Sequence, residues 1–143
     1  MRTLILALTF FALPAYAWEF APTPICTLGH TTADAEVSVT YDPSISEYAI
    51  TLTRPDATWP SGAVFEIEFS GPRGLTISTS RHEMSADGTA LTVRDSGFGN
   101  VLNGIEFNTT ATAIVGGPVV SIPLAGAAPE VQKFRACAEA LSA

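Results

Sequence analysis

The side chains able to do chemistry are few and scattered. His82 and Glu83 are adjacent, with Asp87 four residues on, and they form the single local grouping of acid, base or metal-ligating groups. A zinc centre needs three or four convergent ligands, and the second histidine, His30, stands far away in sequence. A nucleophile–histidine–acid set needs one of these two histidines beside a nucleophile and a carboxylate. No G-x-S-x-G elbow marks such a nucleophile. The grouping is therefore expected to be a solvated polar turn. Glu66 and Glu68 share one side of a strand-like run, but glycosidase chemistry needs paired carboxylates in a cleft, and alternation with Phe65 and Ile67 sends them to solvent. Gly97, Gly99 and Gly104 do not make the G-x-x-x-x-G-K-[ST] phosphate cradle. No D-x-D-x-D-G loop points to calcium. Asn108-Thr109-Thr110 matches a glycosylation sequon, yet it falls inside an expected strand. No catalytic residue, metal ligand or cofactor is assigned, and the chain is read as a non-enzyme.

Two cysteines remain, Cys26 and Cys137, and in an exported chain a lone pair reads as one disulfide. Neither a C-x-x-C spacing nor a charged neighbourhood suggests reactive thiols instead. Export is expected from the first seventeen residues: Arg2, the apolar run Leu4 to Leu13, and Ala15-Tyr16-Ala17 as a cleavage site. That run is shorter than the about 20 apolar residues a permanent membrane span requires. The expected mature chain, Trp18 to Ala143, is a single domain's worth of sequence. It carries six basic against fourteen acidic side chains, and Lys133 is the sole lysine. Such a balance argues against nucleic acid, which needs clustered Lys and Arg, and against anionic membrane surfaces. The expected compartment is the periplasm or the exterior.

The elements that position these residues are mostly strands. Val37, Val39 and Tyr41 alternate on one face, then Tyr48, Ile50 and Leu52, with Asp42-Pro43-Ser44 as the turn of a hairpin. Phe65, Ile67 and Phe69 alternate with Glu66 and Glu68 as a half-buried strand. Leu75, Ile77 and Thr79 follow, and Asp87-Gly88 turns the chain back to Leu91 and Val93. Val101 to Ile105 is expected as one helical turn capped by Asn100, with a strand over Glu106 to Val115. Gly116-Gly117 leads into a strand over Val119 to Leu124. Trp18 to Pro24 reads as an extended arm, and Gly29 to Asp34 as a polar link. Near residue 128 a helix begins and runs to about 141, with Pro129 in its first turn and Val131, Phe134, Ala138 and Leu141 on one face. About eight short strands joined by turns predict an all-β antiparallel sandwich with this C-terminal helix.

Several of these stretches carry a resemblance. Trp18-x-Phe20 with Cys26, Tyr48-Ala49-Ile50, the run Gly97-Phe98-Gly99-Asn100-Val101-Leu102, and Pro123-Leu124-x-Gly126 followed by Phe134-Arg135-Ala136-Cys137 together resemble a family of small exported proteins of alphaproteobacterial type without an established activity. Some of its members carry the name of a DNA-repair excinuclease. A DNA-repair motor needs an ATP-binding loop and a basic surface, and this chain has neither, so that activity is not expected. The strand–Gly–helix–Cys ending is similar to the invasion-associated locus B proteins, small exported β-sandwiches. That resemblance implies an envelope-associated, non-enzymatic role and brings no catalytic residues.

The first functional expectation is an interaction or envelope-accessory protein with an envelope protein as partner, using Trp18, Phe20 and Trp59 as contact residues. The alternative is a carrier of a small apolar ligand between the sheets, lined by Phe65, Phe69, Phe107 or Tyr48. An enzyme working through His82 and nearby acids comes third.

Overall fold

Alternating apolar and polar side chains can bury one face only if strands pair into sheets and the sheets stack. This chain does so twice. The computed structural model describes residues 17–142, so the expected leader lies outside the described residues except for its last position. The strands are β1 (Glu19–Ala21), β2 (Cys26–Thr31), β3 (Glu36–Asp42), β4 (Glu47–Thr53), β5 (Phe65–Ser70), β6 (Leu75–Thr79), β7 (Glu83–Met84), β8 (Ala90–Asp95), β9 (Thr110–Ile114) and β10 (Pro118–Pro123). Helix α1 (Gly99–Phe107) follows β8, and α2 (Ala127–Ser142) ends the chain. All strand pairs are antiparallel, in a six-stranded sheet of order β1-β2-β3-β4-β8-β7 and a four-stranded sheet of order β10-β9-β5-β6. The all-β sandwich with a C-terminal helix is present, with ten strands rather than eight.

The expected hairpin of β3 and β4 is present, with Val37 opposite Leu52, Val39 opposite Ile50 and Tyr41 opposite Tyr48. Its turn is closed by Asp42, whose carboxylate accepts from the Ser44 N–H (2.9 Å) and hydroxyl (2.6 Å). Phe65, Ile67 and Phe69 of β5 are buried. The expected extended arm supplies the three-residue edge strand β1, and the expected polar link is strand only up to Thr31, where β2 ends. β1 pairs with β2, and β2 pairs with β3 along its whole length. Gly29 and His30 have little strand preference of their own; two flanking partners and the inward alternation of Cys26, Leu28 and His30 decide the matter.

Helix α1 also departs from expectation. It runs from Gly99 to Phe107, its N-cap is Phe98 rather than Asn100, and no side chain caps it. Packing holds it in place of a cap: Val101, Leu102 and Ile105 are buried. Gly104 sits so close to the Phe69 ring of β5 that a Cβ there would overlap the ring carbons. Because α1 takes Glu106 and Phe107, the following strand starts only at Thr110.

Helix α2 packs on β1, β2 and α1. Val131, Phe134 and Ala138 are buried as their spacing implies, but Leu141 is exposed, since the last turn runs beyond what the helix covers. Cys26 of β2 and Cys137 of α2 are bonded, with Cα atoms 6.0 Å apart. Glu130 reinforces the seat by accepting from the Phe20 N–H (2.9 Å).

Two outcomes test this packing. The bond closes a span of 111 residues, so Cys26→Ala with Cys137→Ala is expected to lower unfolding stability by about 4 kcal/mol, read as an earlier urea midpoint; an unchanged midpoint would contradict it. Gly104→Ala is expected to cost about 1–3 kcal/mol through overpacking against Phe69, measured in the same way.

Candidate functional site

The groups singled out for chemistry do not converge. His82 is half-buried at the end of β6, its Nε2 3.1 Å from the Gly62 carbonyl oxygen and its ring 6.1 Å from that of Phe65. Glu83 lies 3.6 Å from the Arg94 guanidinium. Asp87 turns to its own loop and accepts from the Ser85 hydroxyl (2.6 Å) and from the Thr89 N–H and hydroxyl (3.1 and 2.8 Å). Those bonds, Ser85 first, lower its carboxyl pKa to about 2. No three His, Cys, Asp or Glu side chains among the described residues sit close enough to hold a metal ion. Glu68 is exposed and Glu66 half-exposed, the latter accepting from the Ser78 hydroxyl at 3.0 Å. Asn108 is buried: its amide donates to the carbonyls of Arg73 and Gly104 and accepts from the Arg73 N–H. It ties the end of α1 to the β5–β6 turn, which leaves no room for a glycan.

The residues expected to meet a partner turn inward. Trp18 and Trp59 are 4% and 6% exposed. The Trp18 indole N–H donates to the Pro123 carbonyl of β10 (3.1 Å), and its ring stacks on the buried His30 at 4.7 Å. The Trp59 indole N–H is shared by the carbonyls of Leu52 and Thr89, both at 3.1 Å, while its ring meets Phe65 edge-on. Phe20 is half-buried and packs on the core. The two tryptophans clamp one sheet to the other, because a tryptophan buried with its N–H satisfied is worth more inside than out. His30 is a member of this interior that sequence reading placed in a link. Among the described residues neither of its ring nitrogens has a hydrogen-bond partner.

A cleft of about 430 Å³ opens between the sheets where β6 faces β8. Ile50, Phe65, Ile67, Ile77, Val93 and Phe98 supply its apolar surface. Strand β7 explains the opening. It has two residues and pairs only with Leu91 and Thr92, so β8 has no outer neighbour from Val93 onward. β6 is likewise the edge of its own sheet. Between these two edges the loop from Gly97 and the first turn of α1 form the rim, with Arg81, Arg94 and Asp95. A separate void of about 20 Å³ lies around Phe69 and Ile105. Of the four aromatic residues expected to line a cavity, Phe65 does. Phe69 belongs to the deeper core, and Phe107 lies under the Arg73 guanidinium at 4.3 Å. Tyr48 packs between Tyr41 and Phe98, where burial first and Tyr41 second raise its phenol pKa.

The rim charges are unequally satisfied. Arg94 lies 3.3 Å from Glu47 and 3.6 Å from Glu83. Asp95 accepts from the Ser96 N–H at 2.7 Å. Arg81 is exposed and makes no ion pair among the described residues. A volume in the range of ligand sites, with an apolar interior and a few polar groups at the mouth, is an arrangement that holds a small molecule. Compared with family models, curated proteins and solved structures, the chain matches none.

Asp87 gives a direct check on the local electrostatics. Its folded pKa lies below the unfolded value near 4, so its turn stabilises the protein above that value and the contribution is lost as pH falls from about 4 toward about 2. An NMR titration of the Asp87 carboxyl is expected to show a midpoint near 2; a midpoint near 4 would mean the turn is open in solution.

Proposed function

We propose that this chain is an exported, non-catalytic protein of the envelope or periplasm that carries a small apolar ligand in the cleft between β6 and β8. One observation carries the reading: an opening of about 430 Å³ walled by Ile, Val and Phe side chains from both sheets. Water held against such walls is readily displaced by an apolar molecule. The disulfide supports an oxidising compartment, as do the leader pattern at residues 1–17 and the resemblance to small exported envelope proteins. No helix among the described residues is long and apolar enough to cross a membrane. The acidic balance, −7 overall, speaks against nucleic acid as cargo. The rival reading, adhesion to an envelope partner through Trp18, Phe20 and Trp59, has less support, because Trp18 and Trp59 are buried and Phe20 is half-buried.

A neutral fluorescent dye, N-phenyl-1-naphthylamine, tests the carrier reading. The wild-type chain is expected to bind it with enhanced emission. Ile77→Trp, which fills the cleft from β6, is expected to weaken binding by at least about tenfold while the far-ultraviolet circular dichroism stays the same. Absence of binding to wild type, or equal binding to the tryptophan variant, would contradict the reading.

A further inference from the structure

We infer that the cleft selects a single-chain amphiphile with an anionic head, an aliphatic carboxylate, whose tail fills the inter-sheet space and whose head sits against Arg81. This rests on the carrier reading and adds the chemistry of the ligand. The cleft's walls are built from Ile50, Ile67, Ile77, Val93 and aromatic rings, so recognition of anything polar has to happen at the rim. Three charged side chains stand there, and two of them are already satisfied. Arg94 has Glu47 and Glu83, and Asp95 has the Ser96 N–H and, at 3.4 Å, the Ser96 hydroxyl. Arg81 has no carboxylate partner among the described residues.

Of the two guanidiniums at the cleft mouth, Arg94 has carboxylate partners and Arg81 has none. Arg54 and Arg73 also make no ion pair among the described residues, but each lies over an aromatic ring, Trp59 and Phe107 respectively. The Arg81 fork of N–H donors suits a carboxylate. The start of α1 adds to the same preference. Gly99, Asn100 and Val101 line the cleft, the helix has no capping side chain and no acid in its first turn, and the first N–H groups of a helix lack partners within it. They carry partial positive charge at residues that line the cleft. A cationic head would meet Arg81 and this helix end with like sign. A neutral head gains neither contact, so it is held by its tail alone.

The test uses the intact chain, disulfide formed, and three ligands of equal tail length: decanoate, decanol and decyltrimethylammonium. Each displaces N-phenyl-1-naphthylamine from wild type and from Arg81→Gln. For wild type, decanoate is expected to compete at least about tenfold better than decanol, with the ammonium weakest. Arg81→Gln is expected to abolish the advantage of decanoate over decanol, read as the ratio of the two in the same variant; Arg81→Lys, which keeps the charge, is expected to retain part of it. If the dye and decanol bind but decanoate shows no advantage, or keeps it in Arg81→Gln, the head-group assignment is overturned and the carrier reading stands. If neither dye nor any ligand binds wild type, both fall.

Discussion

Six strands lie against four, and the surplus apolar face of the larger sheet has to be covered by something other than a strand. At the β1–β2 side that cover is α2, which packs on both strands and buries Val131, Phe134 and Ala138. An amphipathic helix of this size holds its place through tertiary contact rather than through its own propensity. The Cys26–Cys137 bond and the Glu130 carboxylate on the Phe20 N–H fix where it lies. Lys133, 2.9 Å from Glu130, and then the Phe20 N–H hold that carboxyl below its ordinary pKa. At the opposite side the larger sheet ends in the two-residue β7, and among the described residues only the first turn of α1 reaches the gap. The cleft follows from that asymmetry.

The same constraint gives the two tryptophans their places. A sandwich has seams where one sheet passes to the other, and each seam exposes backbone carbonyls unless something donates to them. Trp18 reaches from beside β1 to the Pro123 carbonyl of β10. Trp59, in the β4–β5 connection, donates to Leu52 and Thr89 and sets its ring against Phe65. Each closes a seam with a large ring and one N–H. The β6–β8 seam has no such clamp. Ile77 and Val93 remain half-exposed there, beside a glycine-containing loop. An unfilled apolar seam is costly to leave empty, since its lining forgoes contacts that a filled core would supply. A ligand tail would restore them, which is the physical ground for the carrier proposal.

What the sequence made legible was local. Period-two alternation placed β3, β4 and β5 and the hairpin of the first two, and a 3-4-3 spacing placed α2 with three of its four inward residues. Two cysteines admit one pairing, so the bond was legible as well. The errors arose where the deciding partner is distant in the chain. β2 is a strand because β1 and β3 flank it, despite Gly29 and His30. α1 outgrew one turn because Phe69 accepts Gly104 closely and three apolar side chains find the core. In the sequence Trp18 and Trp59 read as contact residues for a partner, and the distant carbonyls that hold them inside are not visible there. The cleft was the least legible feature, because it depends on where β7 stops.

The most direct test of this account is a chemical-shift map of the isotope-labelled chain as decanol is added. Occupation of the cleft should move the methyl signals of Ile50, Ile77 and Val93 and the amides of Gly97 to Val101, residues from four separate segments that meet only there. Signals on the far side of the molecule, such as Thr27 and Ser38, should stay in place. Shifts confined to that far side, or none at saturating ligand, would show that the gap between β6 and β8 is a packing feature and not a binding site.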